Sequence, residues 1–119
     1  MELETQIPVS SNDAAKAAII GAFCGDAAGG TLEFLHVTFT EELVCEAMML
    51  EGGGAMGLGP GQITDDSELA LSLAHGLTES KGVLNLDNIV RYYGMWVSSP
   101  PFDIGTTTGA ESHRQSFEE

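Results

Sequence analysis

Positive charge is scarce in this sequence: Lys and Arg together number 4 against 18 Asp and Glu, for a net charge of −14. A phosphate backbone or an anionic bilayer would be repelled, which excludes nucleic-acid binding through a basic face and electrostatic docking on a membrane. An anionic small molecule would have to find its counter-charge in a metal ion, a helix end or backbone amides. Long apolar runs are missing too. The longest, Ala17 to Cys24, is too short to cross a bilayer, and no charged segment followed by an apolar stretch opens the chain. Cysteine is limited to Cys24 and Cys45, both in apolar stretches. Buried free thiols in a reducing, cytoplasmic compartment are the expectation. No Ser-His-Asp or Cys-His arrangement occurs at persuasive spacing, so triad chemistry lacks its residues.

What is present suits one globular domain. The chain has 119 residues and 43% of them are hydrophobic, enough for a single core and too many for disorder. Residues 1–9 read as a loose acidic lead-in. Ser10-Ser-Asn-Asp then offers N-caps to a helix, apolar nearly all round, that runs to about Gly29–Gly30. Such a helix is expected at the centre of a helical fold, with Gly21, Gly25 and Gly29 as a stripe for close approach. A second helix starts at Thr40, facing Leu43, Ala47 and Leu50 inward. From Gly52 to Gly61 six glycines in ten residues make a loop expected to be mobile. It matches no nucleotide fingerprint, because no strand precedes it and no Gly-Lys-Ser/Thr follows.

A third helix begins at Thr64 and runs to about Thr78. Leu69, Leu73 and Leu77 form its expected inner face, with Glu68, Ser72, His75 and Glu79 on the solvent side. Asn85 or Asp87 caps a fourth, whose apolar stripe includes Ile89, Tyr93 and Trp96, and Ser98-Ser-Pro-Pro ends it. A fifth helix is possible after Gly109. The fold class is therefore all-α.

Chemistry concentrates where the third helix begins. Thr64, Asp65 and Asp66 place three hard oxygen donors side by side, the donor type that Mg²⁺ and Ca²⁺ prefer. The same residues also suit plain helix capping, with Asp65 and Glu68 spaced as a capping box. Two other carboxylates stand out. Asp26 sits in an apolar helix and needs a partner, whether a backbone N–H, an Arg or a metal. Glu33, just past that helix, suits a general base, a metal ligand or a solvated loop position. Near the end, Asp103 and Gly105 follow a rigid Pro-Pro, a setting that can hold a carboxylate and exposed amides against a ligand, or simply cap a helix.

Three segments, in order, resemble the ADP-ribosylglycohydrolase family. Gly21-Ala-Phe-Cys-Gly-Asp-Ala-Ala-Gly-Gly-Thr-Leu-Glu33 is similar to the family's opening helix and active-site glutamate. Thr64-Asp-Asp-Ser is similar to its Thr-Asp-Asp-Thr metal motif, with Ser67 keeping the hydroxyl. Trp96-Val-Ser-Ser-Pro-Pro-Phe-Asp-Ile-Gly resembles a Pro-Asp-Ile-Gly segment beside the substrate pocket.

The resemblance implies an orthogonal helical bundle, here confined to its N-terminal helices as a single partial domain over residues 1–119. It implies two Mg²⁺ ions (Mn²⁺ being an alternative) and hydrolysis of the bond joining ADP-ribose to a modified protein side chain or related conjugate. Thr64, Asp65 and Asp66 would be metal ligands, Glu33 would orient or deprotonate the attacking water, and Asp103 and Gly105 would line the ADP-ribose pocket.

Family members are much longer, and their remaining metal carboxylates and phosphate-cradling loop lie further along. Two divalent ions carry more charge than Asp65, Asp66 and Glu33 supply, so weak metal binding and impaired catalysis are expected. Unpartnered helix faces would favour self-association. The alternative is a non-catalytic descendant that binds ADP-ribose or serves a structural, crystallin-like role.

Overall fold

The computed structural model describes residues 9–103. They form four helices: α1 Ser11–Gly30, α2 Glu41–Met48, α3 Asp65–Glu79 and α4 Leu86–Ser98. Among the described residues there is no strand, only an isolated bridge between Gly53 and Leu58, so the all-α expectation holds. No helix of the described residues is long and apolar enough to cross a membrane.

Three of the four helices start as their sequences dictate. The hydroxyls of Ser10 and Thr40 accept the N–H groups of Asp13 and Leu43, and the Asn85 side chain accepts the Asn88 N–H. Each satisfies one of the donors that a helix start leaves free. Of the two candidate caps for α4, Asn85 is the one used.

The main contact in the molecule joins α3 to α4. It uses the face of α3 expected in solvent. Glu68 accepts the Trp96 indole N–H at 2.6 Å, Ser72 and Gly76 are buried, and Glu79 pairs with Arg91. The Ser80 hydroxyl accepts from the Asn88 amide at 2.8 Å. Pairing Glu68 with Trp96 and Glu79 with Arg91 sets the two helices antiparallel.

The leucine face expected to be buried is only partly covered: Leu73 is 36% exposed, and Leu69 and Leu77 are half-buried. Size explains the reversal. A Cβ on Gly76 would lie 3.1 Å from the Ile89 Cα, an approach that no leucine face allows. His75, expected to be solvated, is exposed and also stacks on Tyr92, with ring centroids 5.4 Å apart.

Helix α1 departs from expectation more strongly. Only Ala27, Ala28 and Gly30 at its C-terminal end are buried, while Ile19 and Ile20 are 56% and 62% exposed. The expected central position is overturned because α2, α3 and the glycine loop cover only the last turns. Nothing approaches within 4 Å of a Cβ placed on Gly21, Gly25 or Gly29, so the glycine stripe has no partner among the described residues.

Both cysteines are free, as expected, but exposed rather than buried. Cys24 lines an open apolar cleft of about 270 Å³ with Ile20, Phe23, Leu50 and Ile63. Cys45 lies on a face of α2 beside exposed Val44.

The glycine loop is folded onto itself. Gly53 and Leu58 exchange backbone hydrogen bonds of 2.7 and 2.9 Å, and the Gly61 N–H reaches back to the Leu50 carbonyl. Left-handed backbone at Gly52, Gly53, Gly54, Gly57 and Gly61 accounts for the glycine content. The loop's purpose is packing: it drives Leu58, 5% exposed, against Gly30.

Candidate functional site

The start of α3 is built differently from the other three. Thr64 occupies the N-cap in extended conformation, yet its side chain makes no capping bond. Two carboxylates from distant parts of the chain do that work. Asp26, on α1, accepts the Thr64 N–H at 2.9 Å and also takes the Thr64 hydroxyl proton in a short hydrogen bond. Asp103, beyond α4, accepts the Asp65 N–H at 2.9 Å through Oδ2. The free N–H groups and dipole of a helix start favour anions, so both contacts are stabilising. The capping box expected from Asp65 and Glu68 is not the arrangement found, since Glu68 turns to Trp96.

Asp26 therefore has the backbone partner that a carboxylate in an apolar helix requires. Burial pushes its carboxyl up, but hydrogen bonds from Ser67 and Thr64 outweigh that and hold it below the ordinary range. Its neighbours move the opposite way. Burial, then the charges of Asp103 and Asp66, raise Asp65. Burial also raises Asp103, and Glu68 and Asp26 add to it, against the lowering effect of the Asp65 N–H.

Glu33 lies on the exposed turn after α1. Desolvation of its carboxyl comes first, and the charges of Asp65, Asp26, Asp66 and Asp103 follow in holding it up. The fold thus gathers Glu33, Asp65, Asp66 and Asp103 within electrostatic reach of one another around one helix tip. Gly105 lies outside the described residues.

This donor set suits a hard cation in kind. It is oxygen-only and carries excess negative charge, and the buried Oδ1 of Asp103 has no hydrogen-bond partner. It does not suit one in number. Among the described residues no three His, Cys, Asp or Glu side chains stand close enough together to hold a metal ion. At the tip Thr64 supplies a neutral oxygen and Asp65 and Asp66 charged ones.

Sequence reasoning named the tip residues and marked Asp26 as needing a partner, but did not join Asp26 to Thr64. Ser67 and the Glu68–Trp96 bond were missed. The signal for Asp26 was present, a carboxylate in an apolar helix segment; for Trp96 the local pattern carried none, because a buried indole N–H can donate to any nearby oxygen.

The ADP-ribosylglycohydrolase family model matches residues 8–117. The chain is 38% identical over 98 residues to the ADP-ribosyl-(dinitrogen reductase) glycohydrolase of Rhodospirillum rubrum, covering 82% of this chain and 33% of that protein. It is 41% identical over 110 residues to the ADP-ribosylarginine hydrolase Tri1 of Serratia proteamaculans, covering 86% of this chain and 28% of that protein. The chain spans about a third of the length of the curated relatives it matches. With four helices, an acidic helix tip and a family match across nearly its whole length, the chain belongs to the ADP-ribosylglycohydrolase family.

Proposed function

We propose that this chain carries the N-terminal part of an ADP-ribosylglycohydrolase active site, which acts on the bond between ADP-ribose and a modified protein side chain or related conjugate. The gathering of Glu33, Asp65, Asp66 and Asp103 around the tip of α3 carries the reading. In this reading Thr64, Asp65 and Asp66 hold one side of a divalent-cation site for Mg²⁺ or Mn²⁺. A bound cation would orient the ribose hydroxyls and offset charge near the bond that breaks. Glu33 suits the base role because a carboxyl raised by desolvation and by the charges of its neighbours holds a proton more readily when it accepts one from water. In this reading Asp103 fixes the tip through Oδ2 and lines the substrate pocket, and its buried, unpartnered Oδ1 supports that role.

The open side of the site argues for weak cation binding and impaired turnover by these residues alone. The test is release of ADP-ribose from an ADP-ribosylated protein in the presence of Mg²⁺. Slow turnover lost in Asp65→Asn supports the hydrolase reading, whereas release independent of both metal and Asp65 sinks it.

A second reading is favoured by the lack of three converging ligands among the described residues. A non-catalytic chain that binds ADP-ribose, or serves structurally, would show calorimetric binding or none, and no turnover. The exposed apolar side chains Ile19, Ile20, Met48 and Met49 give either version a reason to self-associate, measurable by sedimentation.

A further inference from the structure

We propose that Asp26 is a positioning residue for the tip of α3: by accepting both the N–H and the O–H of Thr64, it fixes the direction of the threonine hydroxyl. A threonine at an N-cap ordinarily turns its oxygen onto the helix and accepts an N–H from the first turn. Thr64 is in the N-cap position, with φ −113° and ψ −167°, but forms no such bond. Its proton goes to Asp26, 38 residues earlier in the chain. A hydroxyl has one proton and two lone pairs. With the proton committed, Oγ1 keeps its lone pairs for whatever lies beside Asp65 and Asp66.

Position makes the assignment stick. Thr64 is 1% exposed, the most completely buried side chain described, so its rotamer cannot relax into solvent. Gly30, one turn along from Asp26, closes the opposite side: a Cβ there would come within 2.9 Å of the Thr64 Cγ2. Asp26 and Gly30 on α1 together hold one threonine from two directions. The capping duty that Thr64 gives up passes to Asp26 and Asp103, which leaves Asp65 unneeded as a cap. The purpose of this arrangement rests on the cation reading above; the geometry does not.

The test uses the ¹⁵N-labelled chain, with amide hydrogen exchange and Mn²⁺ line broadening as readouts. Asp26→Asn should speed exchange at Thr64 and Asp65 by about ten- to a hundredfold, the worth of a hydrogen bond to a charged group, while Leu77 and α4 keep their protection. Thr64→Ser should retain both the exchange pattern and the broadening of Asp65 and Asp66 by Mn²⁺; Thr64→Val should lose the broadening.

Unchanged exchange at Thr64 in Asp26→Asn, or equal acceleration throughout α3 and α4, overturns the proposal. Should Asp26→Asn fail to fold, the Thr64→Ser and Thr64→Val pair decides: indistinguishable spectra at Asp65 and Asp66 overturn it. If Mn²⁺ leaves every wild-type resonance sharp, the cation reading fails, and exchange still decides the role of Asp26.

Discussion

The tip of α3 and the first four turns of α1 stand in opposite conditions. At the tip, Thr64 is 1% exposed, held by one distant carboxylate, followed by an Asp65 N–H held by another, and packed against Gly30 and Leu58. On α1, Ile20 is 62% exposed and the glycines at 21 and 25 face open space. The more polar segment is the more buried one, so partner availability decides, and at the tip the partners are polar groups that cannot be left unsatisfied once buried. A helix apolar all round can pack in any direction, so its burial depends on neighbours; a carboxylate aimed at a helix start can pack in only one.

The largest effect should come from the joint that supports the tip. Trp96→Ala removes a buried indole and strands the Glu68 carboxylate, and a loss of about 3–5 kcal/mol is expected, enough to unfold the described core. Ile20→Ala on the exposed stretch of α1 should change stability by less than about 0.5 kcal/mol. Urea denaturation followed by circular dichroism measures both. Similar losses for the two would mean that α1 is packed in solution, and the contrast between the regions would collapse.

Glycine offers a finer cut through the same comparison. At Gly30 a Cβ would meet the Leu58 Cδ1 at 2.8 Å and the Thr64 Cγ2 at 2.9 Å, so Gly30→Ala should cost about 1–3 kcal/mol by overpacking. At Gly25 it would meet nothing, and Gly25→Ala should stabilise the chain by up to about 1 kcal/mol through helix propensity. Opposite signs for one chemical change, five residues apart on one helix, are the expected result in thermal melts. A destabilising Gly25→Ala would place a hidden partner against that stripe.

These contrasts explain how much could be read in advance. Helix starts at Ser10, Thr40 and Asn85 were legible because their caps are local, spanning three residues. The helix start at Thr64 was legible as a cap-rich sequence, and Thr64, Asp65 and Asp66 drew notice as adjacent oxygen donors. Asp26 could be marked as needing a partner, since an apolar helix gives a carboxylate few options.

What joins them was not legible. The Asp26–Thr64 and Asp65–Asp103 bonds each span 38 residues, and no periodicity encodes such a pairing. The face of α3 was misread for a related reason. Leucines at helical spacing signal an apolar stripe, yet the closest packing uses Ser72 and Gly76, where small size outweighs hydrophobicity.

The smallest expected effect is the most specific to the tip. Glu33, Asp65 and Asp103 all have raised carboxyl pKa values in the folded chain. A raised value means that folding favours the protonated form. Their contribution is present below the unfolded-state values and lost as pH rises through the raised folded-state ones. Asp26 is lowered, so its contribution is present above its unfolded value and lost as pH falls through the folded one. Stability should therefore climb as pH is lowered from 7 towards the carboxylate range, then fall once Asp26 begins to protonate.

A net charge of −14 produces part of the same climb by general repulsion, so the bare profile does not isolate the tip. The difference between wild type and Asp65→Asn does. The substitution removes one charge from a cluster open to solvent, so screening limits the gain to a few tenths of a kcal/mol, or about one to two degrees in Tm. That gain should be greatest at neutral pH, shrink as the other carboxylates protonate, and fade in high salt. Glu51→Gln, the same charge change on an exposed residue outside the cluster, should show a smaller and flatter difference. If the two difference profiles coincide, the carboxylates at the tip do not feel one another more than the rest of the acidic surface does, and the helix start loses its distinction as a concentrated site.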